Sequence, residues 1–240
     1  MVILNAKDVC KYFRGNKAVE RVSLQVESGQ IVGLIGANGA GKTTLFNCMT
    51  GYYSATSGSI EFMGQRIEKL APHKICHLGV ARTFQITKPF GDLSVLENVI
   101  VGAYNCCKTR QQAKARAEKY IKFVGLEDKR KMSAALLNTG EKRRLELARA
   151  LATAPKLLLL DEVMAGLTPT ESAEMVGLIR QIRDSGVTIL MIEHIMPALM
   201  SLSDVVYVLD RGELIASGTP EEVSSNAQVI QSYLGKSSEA

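Results

Sequence analysis

The stretch Gly36-Ala37-Asn38-Gly39-Ala40-Gly41-Lys42-Thr43 carries the plainest chemistry in the chain. Its spacing, G-x-x-x-x-G-K-[ST], suits a loop that wraps a phosphate. Glycines let backbone N–H groups turn inward with no Cβ in the way. A helix opening behind the loop adds partial positive charge. Lys42 supplies a point charge for the outer phosphates, and the Thr43 hydroxyl can ligate magnesium. Such a site also needs an acid at the end of a neighbouring strand, and Leu157-Leu158-Leu159-Leu160-Asp161 supplies one. Glu162 would then point beyond the terminal phosphate and polarise a water as general base. His194 follows a further apolar run, Met191-Ile192, at the kind of sheet edge where ligands bind. There it would orient the water or contact the γ-phosphate. The plain alternatives are a turn that binds nothing, a strand-ending surface carboxylate and a structural histidine.

These groups need strands to hold them. Ile31 to Ile35 is a short apolar run ending at Gly36, and a helix is expected from about Thr43. Val22 to Val26 alternates as a half-buried strand does, and Gly58 to Phe62 reads as another strand. Leu157 to Leu160, Val187 to Ile192 and Asp204 to Leu209 read as buried strands, with a helix from Thr170 to Asp184. Fully apolar strands alternating with helices predict a parallel sheet covered on both faces. From about Ser94 to Ala152 the patterns are helical, an insertion in that sheet. Within it, Leu145, Ala148, Leu151 and Ala152 share one face, while Lys142, Arg143, Glu146 and Arg149 lie elsewhere. Gly218 to Gly235 reads as short closing helices.

The 240 residues, 46% hydrophobic and 22% charged, suit one large α/β domain. No run of about 18 apolar residues predicts a spanning helix, and the N-terminus does not read as a signal peptide. The chain is expected to stay where it is made and to meet membranes through partners. Cys10, Cys48, Cys76, Cys106 and Cys107 lack zinc-ligand spacing and suit a reducing compartment. The net charge of +5 equals the excess between Lys108 and Lys122, where Lys108, Arg110, Lys114, Arg116, Lys119 and Lys122 face one acid, Glu118. A solvated helix face explains it; anionic lipid or an acidic loop is the sharper reading. No aromatic interleaving points to nucleic acid.

In order along the chain, these motifs resemble the ABC ATPase family over nearly its whole length. The carriers are Gly36–Thr43, Gln85 in Arg82-Thr83-Phe84-Gln85, the signature Leu137-Asn138-Thr139-Gly140-Glu141, Asp161-Glu162 and His194. Phe13 matches the family's adenine-stacking aromatic. The resemblance implies an α/β P-loop NTPase fold: a mainly parallel core sheet, an N-terminal antiparallel β subdomain and an inserted helical subdomain. It implies one domain over 1–240, with 1–84 and 153–240 as catalytic core and about 85–152 as helical insertion. ATP and Mg²⁺ are the implied cofactors. ATP binding falls to Phe13, Gly36, Ala37, Asn38, Gly39, Ala40, Gly41, Lys42, Thr43 and Thr44, with Asn138, Gly140 and Glu141 reached across a head-to-tail dimer. Thr43, Gln85 and Asp161 are the implied magnesium residues, and Glu162, His194 and Gln85 the catalytic ones.

The implied partners are a second ABC ATPase subunit, the same or different, transmembrane permease subunits and, indirectly, a substrate-binding protein, with no nucleic acid. The implied place is the cytoplasmic face of the membrane, peripheral, the chain being soluble when isolated. Within the family the chain looks most like the ATPases of branched-chain or hydrophobic amino-acid importers. That likeness is carried by Arg143–Leu151, Glu193-His194-Ile195-Met196, and the tail from Gly218-Thr219-Pro220 to Tyr233-Leu234-Gly235. Urea importers and lipopolysaccharide-type exporters share the tail. Asn138, Thr139 and Glu141 depart from the usual Leu-Ser-Gly-Gly-Gln, Val163 from a proline, and Thr168 from an interface aspartate. The segment between Asn98 and Lys131 is shorter than in many such importers. A small kinase, a DNA- or ribosome-acting ABC protein and a binding module that does not hydrolyse, which Glu162 and His194 together argue against, are the rival readings. The Asp161-Glu162 pair argues against the first, and the single compact copy against the second.

Overall fold

The computed structural model describes residues 1–85 and 87–234. The chain divides into two compact units, Met1–Ile75 with Thr188–Ala240, and Cys76–Val187. Along the chain come β1 (Val2–Phe13), β2 (Asn16–Glu27), β3 (Ile31–Gly36), α1 (Lys42–Met49), β4 (Ser57–Phe62), β5 (Gln65–Arg66) and α2 (Pro72–Leu78). Then follow β6 (Val80–Arg82), α3 (Val95–Ala103), α4 (Arg110–Phe123), α5 (Thr139–Ala152), β7 (Leu157–Asp161) and α6 (Pro169–Asp184). The chain closes with β8 (Thr188–Ile192), α7 (Met196–Leu202), β9 (Val205–Asp210), β10 (Glu213–Gly218), α8 (Pro220–Ser225) and α9 (Ala227–Leu234).

In the first unit, β1 and β2 form an antiparallel hairpin with Phe13 opposite Asn16. Arg14 and Gly15 both take positive φ there, which matches the right-handed twist of the strands they join. Strand β1 also pairs with β4, and β4 with β5, giving the expected antiparallel sheet. The second sheet of this unit centres on β3, buried along its length and flanked in parallel by β8 and β9. Burial on both faces explains its uninterrupted apolar sequence. Strand β10 adds antiparallel to β9, so the stretch up to Gly218 is strand before the two closing helices begin. Ile35, Val206, Val208, Leu199 and Val223 form a core where α7 and α8 cover this sheet.

In the second unit β6 pairs in parallel with β7, whose five residues are all buried. The predicted helical stretch is three α-helices. Ser94 caps α3, Thr109 α4 and Asn138 α5, each in a reciprocal capping box with Glu97, Gln112 or Glu141. Helix α4 buries Ala113, Ala117 and Ile121, one stripe at four-residue spacing. Its Arg110, Lys114, Lys119 and Lys122, and Lys108 just before it, are exposed, as a solvated face requires. Arg116 differs: its guanidinium donates to the carbonyls of Ala152 and Leu151 (2.7 and 3.4 Å), satisfying the C-terminus of α5. Helices α3 and α5 touch closely at Gly102, where a Cβ would stand 2.3 Å from the Arg149 carbonyl oxygen. Among the described residues no helix is long and apolar enough to cross a membrane.

Candidate functional site

In the first unit the loop from Gly36 to Gly41 joins β3 to α1. Gly41 stands at φ +102, and a Cβ there would meet the Ala18 carbonyl oxygen at 2.3 Å, so the position admits only glycine. Asn38 and Gly39 form the exposed tip. No side-chain hydrogen bond caps the N-terminus of α1, and a helix start carries partial positive charge. Lys42 is buried, and its ammonium donates to the carbonyls of Gly36 (2.7 Å) and Ala37 (3.1 Å). Thr43 is exposed on the first turn, and Thr44 follows it half-buried. An uncapped helix start, a glycine turn and a positioned cation together fit a polyphosphate.

Phe13 ends β1 and is 39% exposed, its ring 5.1 Å from that of Tyr53 in an edge-on pair, with the Lys11 ammonium 5.1 Å from its centroid. One flank is fixed by Tyr53, and the open area can take a planar ring. His194 follows β8 and is exposed, beyond Glu193, which is buried.

In the second unit, Asp161 closes β7 fully buried, and its Oδ2 receives the Arg82 guanidinium at 2.7 Å. Its backbone N–H donates to the Thr83 hydroxyl at 3.1 Å. Glu162 comes next with φ +51, a left-handed backbone that costs a non-glycine residue about 1–3 kcal/mol. This turn lifts its carboxylate out of the strand, where Gln85 Nε2 donates to Oε2 at 2.8 Å. The structure thus brings together two of the predicted catalytic residues, Gln85 and Glu162. Gln85 belongs to a short exposed connection after β6; Ile86 lies outside the described residues.

The signature opens α5: Thr139 starts the helix and Gly140 lies inside it. The reason is the cap. Asn138 Oδ1 accepts from the Glu141 N–H at 2.8 Å, and Glu141 Oε2 accepts from the Asn138 N–H at 3.0 Å. Glu141 also pairs with Lys129, which holds its carboxyl below the usual range even though burial alone would raise it. A Cβ on Gly140 would meet Glu171 Oε1 at 2.6 Å. Thr168 is the N-cap of α6 and pairs reciprocally with Glu171, the local work an aspartate there would also do.

Two members of this neighbourhood escaped the sequence reading. Arg143 and Glu146, placed off the apolar face of α5, are buried at 7% and 4% exposure. Arg143 Nη1 donates to the Phe84 carbonyl at 3.1 Å, and Glu146 Oε1 accepts from the Phe84 N–H at 3.0 Å. Buried charges need partners; Arg149 lies 3.9 Å from Glu146, and both Arg143 and Glu146 bond the same residue, Phe84. At Phe84 the partner is main chain, which leaves no trace in the spacing of side chains.

A family model described as "ABC transporter" matches residues 19–165, and one described as "Branched-chain amino acid ATP-binding cassette transporter" matches 213–238. The chain is 42% identical over 240 residues to the high-affinity branched-chain amino acid transport ATP-binding protein LivG of Salmonella typhimurium, covering 93% of this chain and 94% of that one. It is 40% identical to BraF of Pseudomonas aeruginosa, which has the same description, over 98% of both chains. Among solved structures, a nucleotide-free ATP-binding cassette from an ABC transporter superposes with a TM-score of 0.89 at 30% identity, covering 97% of this chain and 99% of that one. The ADP conformation of such a cassette gives 0.88 at 30% identity, over 98% and 99%. With the phosphate loop, the Asp161-Glu162 strand end and the capped signature helix in view, the chain belongs to the ABC transporter ATP-binding family, whose members hydrolyse ATP.

Proposed function

We propose that this chain is the ATP-hydrolysing subunit of an importer for branched-chain amino acids, seated on the cytoplasmic face of the membrane against permease subunits. The observation that supports the cargo is the 40–42% identity to branched-chain amino-acid transport ATPases over 93–98% of this chain. In this reading the backbone of Gly36 to Thr44 and the Lys42 ammonium hold the phosphates, and Phe13 takes the adenine. Thr43, Asp161 and Gln85 offer hydroxyl, carboxylate and amide oxygens, the hard donors that Mg²⁺ selects. Glu162 takes the proton of the attacking water, with His194 orienting it. Asn138, Gly140 and Glu141 of a second ATPase subunit complete the site, so ATP closes the pair and hydrolysis releases it.

Replacing Glu162 with Gln removes the base and keeps the phosphate loop. ATP turnover is expected to fall by about 100-fold or more, while ATP binding persists. Gel filtration with ATP then shows a stable dimer. Wild-type hydrolysis by E162Q would remove Glu162 from this role. For the cargo, the transporter reconstituted in vesicles with its binding protein is expected to raise ATP turnover with leucine or valine and not with urea. Stimulation by urea alone would move the chain to the related importers.

A further inference from the structure

Each of four successive residues of the second unit, Arg82 to Gln85, is hydrogen-bonded to β7, to Glu162 just after it, or to α5. Arg82 pairs with Asp161 at 2.7 Å. Thr83 donates its N–H to the Leu159 carbonyl at 2.9 Å and accepts from the Asp161 N–H. Phe84 is gripped on both peptide groups by Arg143 and Glu146 of α5. Gln85 reaches Glu162. The first, second and fourth tie the strap to the end of β7; the third ties it to α5, the helix that carries Asn138 and Gly140.

We infer that Glu146 is a positioning residue for ATP hydrolysis, which with Arg143 clamps the Phe84 peptide and so sets Gln85 against Glu162 and couples both to the signature helix. A bare apolar residue at 146 would leave the Phe84 N–H without its acceptor. A charged acceptor makes the stronger bond to a backbone N–H. Arg143, on the Phe84 carbonyl, fixes the peptide's rotation, so Gln85 starts from one direction. A displacement of α5 by a partner subunit would be passed to Gln85 through one peptide unit. The inference rests on the proposed roles of Gln85 and Glu162.

The test is a double-mutant cycle on ATP turnover by the full chain, using E146A, Q85A and the pair. E146A is expected to lower kcat by about tenfold while KM for ATP stays within about twofold. E146Q, which keeps an acceptor oxygen, restores most of the rate. On the Q85A background E146A is expected to cost nothing further. A wild-type kcat for E146A, or a loss that multiplies fully with that of Q85A, overturns the inference. A wild-type rate for Q85A overturns the reading of Gln85 and, separately visible, this inference with it. Should E146A fold poorly, E146L fills the space without an acceptor. Hydrogen exchange at the Phe84 amide is then expected to quicken, and unchanged protection overturns the clamp.

Discussion

Burial pushes the Glu146 carboxyl up to about 7, against the lowering pull of its Phe84 N–H bond and of Arg149 and Arg143, and with a further push from Asp161. A carboxyl raised in the folded chain binds more protons there than in the unfolded one. Its contribution to stability is complete below about pH 4.5 and lost as pH climbs through about 7. E146Q imitates the protonated form without titrating. Its stability relative to the wild type is therefore expected to grow between pH 5 and pH 8, by at most about 3 kcal/mol. Urea unfolding of both proteins at the two pH values checks this; a difference that stays flat contradicts it. Lys42, Thr43, Asp161 and Glu162 were legible because their meaning is local: a few contiguous residues carry the whole pattern. Arg82, Arg143 and Glu146 were not, since their partners lie 79, 59 and 62 positions away.

Helix α5 shows how position along an element separates architecture from chemistry. At Gly102 of α3, an added methyl meets α5 main chain at 2.3 Å, and backbone cannot step aside cheaply. G102A is expected to destabilise the chain by about 2 kcal/mol, read as a lower unfolding midpoint. At Gly140 the methyl meets only the tip of the Glu171 side chain, which can swing away. G140A is expected to change stability by less than about 1 kcal/mol and yet to depress ATP turnover, because in the proposed dimer a side chain would now stand where the helix start faces a partner's nucleotide. If both variants lose stability equally, the assignment of Gly140 to binding fails. The strands that spell out β3, β7 and β8 were plain in the sequence, each buried on both faces. Strand β1 was obscured by register shifts near Asp8, which sits at φ +47 and breaks the alternation. Strand β10 is half-buried, and its apolar run, Leu214-Ile215-Ala216, is short. Short β6 is recognisable only from its pairing with β7.

The molecule as a whole has two compact units, and β6, β7 and α6 cluster with the helices rather than with β3. The motif order nonetheless pointed to the right family, because its parts keep their sequence order whatever the packing. The leaning towards branched-chain amino-acid ATPases agrees with the names its relatives carry. The tail that suggested it runs to Gly235, past the described residues. Among the described residues no helix is able to cross a membrane, and in the proposed assembly other chains would form the path. Membranes solubilised in mild detergent are expected to yield this chain together with a permease subunit and a second ATPase; recovery of the chain alone, at low salt, counts against that assembly.

Lys42 gives the resting protein one more property. Its ammonium is already tethered to two carbonyls of the loop that bears it. In the proposed phosphate role, a ligand oxygen would have to compete with these two carbonyls for the ammonium, so the tether enters the cost of binding.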